Sequence, residues 1–297
     1  MVEQTLVSGL ELWQWQQQAL KAAKTADVSP DELDWLLLEV ANLDRLALRL
    51  ESFKDWKQIR ISLPLADLER FWQRRLHERL PVQYITGITP WRQFRIAVTS
   101  DVLIPRPETE QIIDLAAAAT KNSPELQQGS WIDLGTGSGA LALGLAATFT
   151  AATIYAVDYS PAALAVAAQN ARNCGFADRI RFGQGSWWEA LSVRGFSGMV
   201  SNPPYIPTGD LPGLQPEVLN HEPHLALDGG ADGLDCIRHL VETSPNYLRS
   251  GGIWLIEMML GQAETVTQLL QNQGSYRDIQ IYPDFAGIDR FALAYRI

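Results

Sequence analysis

Asn202-Pro203-Pro204-Tyr205 carries the most specific chemistry in this sequence. Successive prolines have a fixed φ and no N–H, so the turn they make is stiff and offers only carbonyls. The side-chain oxygen of Asn202 and the carbonyl of Pro203 can together accept both hydrogens of one planar –NH2 group. Pro204 stiffens the turn, and the Tyr205 ring can lie against the plane of that group. The group that fits is an amide or an exocyclic amine, whose nitrogen is a poor nucleophile because its lone pair is delocalised. A Pro-Pro-Tyr run can also serve as a polyproline ligand for another domain. Its position directly after the apolar run Gly198-Met199-Val200-Ser201 favours the clamp.

The second chemical stretch is Trp131-Ile132-Asp133-Leu134 followed by Gly135-Thr136-Gly137-Ser138-Gly139. An apolar strand ending in a glycine loop, with an apolar helix after it, is where open α/β sheets bind nucleotide-like ligands. Taken alone, the loop is ambiguous. Gly135-x-Gly137-x-x-Ala140, with Asp158 about 20 residues on, also satisfies the dinucleotide fingerprint. A glycine turn without a ligand is a further reading. Asp158, closing Ile154-Tyr155-Ala156-Val157, can accept the ribose hydroxyls of NAD or of S-adenosylmethionine. Asp133 favours S-adenosylmethionine, because it can reach the cationic amino-acid end of that ligand directly or through water. Trp187 follows the third strand, where a flat ring can stack on adenine and Ser186 can bond the adenine edge. Trp188 competes for that role, and either indole can belong to the core instead.

Both stretches need a sheet to position them. From Pro107 the sequence alternates, with strands expected at 130–134, 152–157, 179–183, 197–201, 251–257, 277–282 and 290–296. Helices are expected near 107–120, 138–148, 160–174, 231–249 and 261–273. Repeated β-α units imply a mostly parallel sheet covered on both faces, and the two final strands, with no helix between them, allow an antiparallel edge. Residues 1–80 read as a small helical bundle. Ser29-Pro30-Asp31-Glu32 forms a capping box opening a helix with Leu33, Leu36, Leu37, Val40, Leu43 and Leu46 on one face. An earlier helix holds Leu6, Leu10, Trp13 and Leu20. A later one runs from about Leu65 to Leu80, with Arg70, Arg74, Arg75 and Arg79 on its polar side as a solvated face or a partner-docking surface. Residues 81–106 read as a β-hairpin linker, and 107–297 as the catalytic domain. Pro105 and Pro107 stiffen the approach to the helix near Glu108; if they do nothing more, Arg106 and Glu108 are surface charges.

Composition narrows the field. The 297 residues are 46% hydrophobic with a net charge of −10, which supports a packed core and weighs against direct gripping of a nucleic-acid backbone. Cys174 and Cys236 make no disulfide framework and read as small buried residues. No run of about 18 apolar residues or signal peptide is evident, so a cytoplasmic protein without a membrane span is expected. His221-Glu222-Pro223-His224 lacks a third ligand, and no metal site is assigned.

Several motifs occur in a fixed order: Pro81-Val82-Gln83-Tyr84-Ile85-Thr86-Gly87, Ile104 to Glu110, Asp133 to Gly139, Asn202 to Ile206, and Glu222-Pro223 leading to Asp228-Gly229-Gly230-Ala231-Asp232-Gly233-Leu234. In this order they resemble the release-factor glutamine methyltransferase family, over residues 80 to 297 by motif and over the N-terminal region by arrangement. The resemblance implies a Rossmann-like class I S-adenosylmethionine-dependent methyltransferase domain with a seven-stranded, mostly parallel sheet. It implies methylation of the side-chain amide nitrogen (N5) of Gln in the Gly-Gly-Gln motif of class 1 peptide chain release factors, which act in translation termination. By the same resemblance, Gly135 to Gly139, Asp158, Trp187 and Asn202 contact the cofactor, and Asn202 to Tyr205 hold the substrate Gln. The chain departs from the family at Ser186, where an acid is common, and at Met258-Met259-Leu260, where a small glycine-containing stretch is usual. Adenine N6-methylation of DNA or RNA and methylation of a ribosomal-protein glutamine are the competing enzymatic readings. A non-catalytic scaffold that binds the cofactor and docks release factors is the other.

Overall fold

A computed structural model describes residues 5–297, which divide into two compact units at Gly87. The smaller unit begins with β1 (Thr5–Val7) and α1 (Gly9–Thr25), followed by α2 (Pro30–Ala41), α3 (Arg45–Arg49), β2 (Ile59–Ile61), α4 (Leu65–Glu78) and α5 (Val82–Thr86). Its helices enclose a core that includes Leu12, Trp15, Leu33, Leu36, Leu37, Phe53, Leu68 and Trp72.

Several expectations for this unit change. Leu6 lies on β1, which pairs antiparallel with β2, and both Leu6 and Leu10 are exposed. The buried stripe of α1 is Leu12, Trp15, Ala19 and Ala23. The reciprocal capping box sits at Ser8–Glu11 rather than at Ser29. Ser29 does cap α2 through the Asp31 N–H, but the Glu32 carboxylate is taken by Arg75 at 2.6 and 2.8 Å. Arg75 is therefore a buried ion-pair partner and no part of a polar face. Arg70 and Arg74 pair with Asp67 and Glu78 of their own helix. α2 stops at Ala41 because Asn42 turns left-handed, leaving Leu43 buried beyond the helix and Leu46 exposed on α3.

The larger unit opens with a hairpin, β3 (Ile88–Trp91) and β4 (Phe94–Ala97). Next come α6 (Gln111–Ala119), α7 (Pro124–Gln127), β5 (Ser130–Leu134), α8 (Ala140–Thr148), β6 (Thr153–Asp158), α9 (Pro161–Asn173), β7 (Ile180–Gln184) and β8 (Phe196–Ser201). α10 (Pro216–His221), α11 (Asp235–Thr243), β9 (Leu248–Glu257), α12 (Ala263–Gln273), β10 (Tyr276–Pro283) and β11 (Asp289–Arg296) complete it. The expected helix over 231–249 is shorter, because Pro245 sits in a separate 3-10 turn at Ser244–Asn246. The hairpin is tied to α9: Asn170 accepts from the Ala97 N–H at 2.8 Å and donates to the Ala97 carbonyl at 2.9 Å.

Seven strands form one sheet in the order β10-β11-β9-β8-β5-β6-β7. β11 is antiparallel to both neighbours and the other adjacent pairs are parallel. This is a Rossmann-like α/β sheet with an antiparallel edge, as the pattern of elements implied. All six residues of β8 are buried, consistent with a central parallel strand covered on both faces. Gly198 is required there, because a Cβ would stand 2.4 Å from the Trp131 ring of β5. The chain leaves β5 toward β6 on one side and reaches β8 on the other. The carboxyl ends of β5 and β8 therefore open a crevice at the point where strand order reverses. Among the described residues, no helix is long and apolar enough to cross a membrane.

Candidate active site

The loop after β5 and the turn after β8 leave adjacent strands side by side, joined by the Ser201 hydroxyl, which donates to the Leu134 carbonyl at 2.6 Å. Gly135, Gly137 and Gly139 all take positive φ (75°, 53° and 84°), a backbone that side chains rarely adopt. The Gly135 and Thr136 N–H groups both donate to the Val157 carbonyl at 2.9 Å, which fixes the loop over the end of β6. Asp158 lies at that end. Its carboxylate accepts from Gly137 N–H at 2.8 Å and Ser160 N–H at 2.9 Å, and burial raises its pKa.

A cavity of about 430 Å³ opens above these loops. Gly135, Thr136, Gly137, Ser138, Asp158, Ser186, Trp187, Asn202 and Pro204 line it, so the crevice brings most of the sequence-derived candidates together. Trp187 and Trp188 separate cleanly. Trp187 is on the cavity wall, its backbone left-handed at φ 51°, and a Cβ on Gly135 would be 3.6 Å from its indole. Trp188 is buried and stacks on Tyr247 with ring centroids 4.5 Å apart.

Asp133, Gly139, Pro203 and Tyr205 lie outside the cavity wall. Asp133 is fully buried behind the loop. One carboxylate oxygen accepts from the Thr136 hydroxyl at 2.6 Å and the Ala142 N–H at 3.1 Å, and the other has no partner among the described residues. Burial pushes its pKa up to about 7. Gly139 serves packing instead, since a Cβ there would sit 3.1 Å from that of Ala167 on α9. The Tyr205 hydroxyl donates to Glu257 at 2.9 Å, and burial beside that carboxylate raises its pKa.

Four residues around the Asn202–Tyr205 turn were given no part in the site from the sequence. Thr109 and Glu257 are buried, and the Thr109 hydroxyl donates to Glu257 at 2.6 Å while Asn202 Nδ2 donates to Thr109 at 3.2 Å. Arg106, on the cavity wall, is no simple surface charge. One of its nitrogens reaches both oxygens of buried Glu222 at 2.8 and 2.9 Å, and Glu222's pKa is raised by burial against the pull of Arg106. Glu222 thus belongs to this pair rather than to a metal site. Gln262 ties down the turn: its Nε2 donates to the Tyr205 carbonyl at 3.0 Å and the Gly233 carbonyl at 3.1 Å. Its Oε1 accepts from the Met259 N–H at 2.9 Å, so the Met258-Met259-Leu260 departure leaves the turn braced. Apart from the Gln262–Met259 bond, these partners stand from 29 to 148 residues apart, and no local pattern announces them.

A glycine loop at the switch point of a seven-stranded sheet, flanked by an Asn-Pro-Pro-Tyr turn, defines an α/β methyltransferase. A family model described as a methyltransferase domain matches residues 127–276. Among solved structures, the catalytic domain of hMettl16 bound to an RNA hairpin from the MAT2A 3′ untranslated region shares this fold at a TM-score of 0.56. It is 16% identical, over 76% of this chain and 78% of that one. A release factor glutamine methyltransferase from Synechocystis sp. is 52% identical over 291 residues, 97% of either chain. One from Thermosynechococcus vestitus is 45% identical over 284 residues, 95% of this chain and 96% of the relative. The chain belongs to the release factor glutamine methyltransferase family.

Proposed function

We propose that this protein transfers the methyl group of S-adenosylmethionine to the side-chain amide nitrogen (N5) of the Gln in the Gly-Gly-Gln motif of class 1 peptide chain release factors, and so tunes translation termination in the cytoplasm. The observation that carries the reading is the orientation of Asn202. Its amide nitrogen is turned toward Thr109, which leaves its oxygen as the free acceptor of a side chain on the cavity wall. The cavity suits the methyl donor. Its volume is that of a drug-sized ligand site, glycine backbone forms one wall, Asp158 supplies a carboxylate and Trp187 a flat ring. In this reading Asp158 holds the ribose hydroxyls and Trp187 stacks on adenine. The backbone of Gly135 to Ser138 approaches the amino-acid end, with Asp133 buried behind the loop. When bound, S-adenosylmethionine supplies an electrophilic methyl on a sulfonium.

The protein's part is to make a poor nucleophile reactive. Asn202 Oδ1 and the Pro203 carbonyl accept the two hydrogens of the substrate amide, which raises electron density on nitrogen and stabilises positive charge as it develops there. As the N–C bond forms and the C–S bond breaks, the nitrogen becomes strongly acidic and its proton passes to water, so no general base is assigned. Holding nitrogen and methyl in line is the other contribution, and ideal positioning can supply ~7–11 kcal/mol. The smaller unit, with its own core, is the proposed surface for release-factor recognition.

The test is methyl transfer from labelled S-adenosylmethionine to a purified class 1 release factor, to the same factor with its Gly-Gly-Gln glutamine replaced, and to adenine-containing DNA. Label on the intact factor alone is expected. Label on the substituted factor or on DNA overturns the assignment.

A further inference from the structure

An Asn side chain at an –NH2 clamp has a problem of direction. Its amide oxygen and nitrogen are nearly alike in shape and opposite in hydrogen-bonding character. One rotamer accepts from the substrate amide, while the flipped one sets –NH2 against –NH2. The four-residue turn does not choose between them, because the flip leaves its backbone unchanged.

We propose that Thr109 and Glu257 are positioning residues, forming a proton-ordered relay that holds Asn202 with its oxygen toward the substrate amide. The proposal rests on the reading of Asn202 as the clamp for that amide. Its logic is a count of protons. Glu257 ends β9 and, as a carboxylate, only accepts. It has two hydroxyl neighbours, Tyr205 at 2.9 Å on Oε1 and Thr109 at 2.6 Å on Oε2, and each donates its single proton. With its proton committed, the Thr109 oxygen offers only lone pairs to the atom of Asn202 3.2 Å away. Only Nδ2 satisfies that position; the flipped side chain would place oxygen against oxygen.

Burial makes this order strict. Thr109 is 4% and Glu257 1% exposed, so water has little access to re-pair the groups. A short bond to a charged acceptor also exceeds a neutral one in strength. Burial raises the pKa of Glu257, and the hydrogen bonds from Thr109 and Tyr205, with the nearby positive charge of Arg290 on β11, act against that rise and favour the carboxylate. The sheet supplies the placement. Ser201 of β8 is in register with Ile256 of β9, so Asn202 and Glu257 leave neighbouring parallel strands at the same level. Thr109, from the turn before α6, closes the gap between them.

Thr109→Val keeps the shape and removes the hydroxyl. It is expected to lower kcat by ~10–100-fold on the release factor, the usual cost of losing one buried hydrogen bond. The KM for S-adenosylmethionine should stay within about threefold of wild type, a split that general disruption of the fold would not give. Thr109→Ser, which retains donor and acceptor, is expected to recover kcat to within about threefold. The second readout needs no acceptor protein: the Asn202 side-chain –NH2 resonance in ¹H–¹⁵N spectra. It should be protected from solvent exchange in the wild type and in Thr109→Ser, and lose that protection in Thr109→Val. The relay is overturned if Thr109→Val stays within about twofold of wild-type kcat, if Thr109→Ser fails to recover, or if the resonance is unaffected. Should the wild type label no release factor, the substrate reading falls, and the resonance alone decides the relay.

Discussion

Asp133 should make folding of the larger unit depend on pH in a direction opposite to that of a salt-bridged acid. Its carboxyl is fully buried, has two donors on one oxygen and, among the described residues, none on the other, and its pKa is raised from 3.8 to about 7 chiefly by burial. The folded state therefore binds this proton more tightly than the unfolded chain. That advantage is fully present below the unfolded value and disappears as pH rises through about 7. With those two values, linkage gives a loss of roughly 2.5 kcal/mol between about pH 5 and about pH 8.

Asp133→Asn is the fitting control, because its amide oxygen can still accept from Thr136 and Ala142 while the titration is gone. The first assay is a carboxyl-¹³C NMR titration of Asp133. The second is hydrogen exchange at the amides of β5 in both proteins, which reads the opening of this unit, with intrinsic exchange rates cancelling in the comparison. The wild type should lose roughly 2.5 kcal/mol relative to Asp133→Asn across that pH range. A carboxyl midpoint below about 5, or a relative change under ~0.5 kcal/mol, would show that burial does not govern this group. A cationic methyl donor favours the ionised form, so near pH 6 its binding should release a proton in the wild type and none from this site in Asp133→Asn, read by calorimetry in buffers of different ionisation heat.

Asn202→Ala should leave the fold intact and reduce transfer to release factor ~10²–10³-fold, the cost of one stabilising group in a preorganised site, measured by single-turnover kinetics at saturating S-adenosylmethionine. Trp187→Ala should weaken S-adenosylmethionine binding ~10–100-fold by calorimetry, in line with a lost aromatic stack. Trp188→Ala should instead lower stability by ~3–5 kcal/mol in urea unfolding, as for a buried core ring. Arg75→Ala strands Glu32 beside the core of the smaller unit and should cost ~3 kcal/mol, seen as earlier exchange of the α2 and α4 amides with those of β5 unchanged.

The strands of the larger unit were legible because each is a short apolar run bounded by turn residues, and burial of both faces of a parallel sheet demands such runs. The smaller unit was harder for physical reasons. β1 and β2 are three residues each, too short to show alternation. The buried stripe of α1 includes Ala19 and Ala23, whose small side chains mark a buried face more weakly than the exposed Leu6 of β1 and Leu10 of α1 suggest one. Gly9 is part of the reason for the helix start, because a Cβ there would lie 1.9 Å from the Phe53 carbonyl oxygen, a contact only the fold reveals. Ser29 capped its helix as its type implied, but the second half of the box was lost to Arg75, 43 residues from Glu32.

The site divides along the same line. The proposed cofactor half draws on the ends of β5, β6 and β7, consecutive strands of the chain, so residue types and spacing were enough to nominate Gly135 to Ser138, Asp158 and Trp187, which all line the cavity. Its acceptor half is only nominated by Asn202 to Tyr205. The donors and carboxylate that orient the turn come from Thr109 and Glu257, 148 residues apart in sequence. Thr109 looked like the start of a helix, and Glu257 like the end of an apolar strand. On the proposed relay, selectivity for an –NH2 group therefore does not reside in four residues. An Asn-Pro-Pro-Tyr turn without an ordered hydroxyl behind its Asn could present –NH2 as readily as oxygen, and the hydrogen bonds that activate an amide nitrogen would then form in only part of the population.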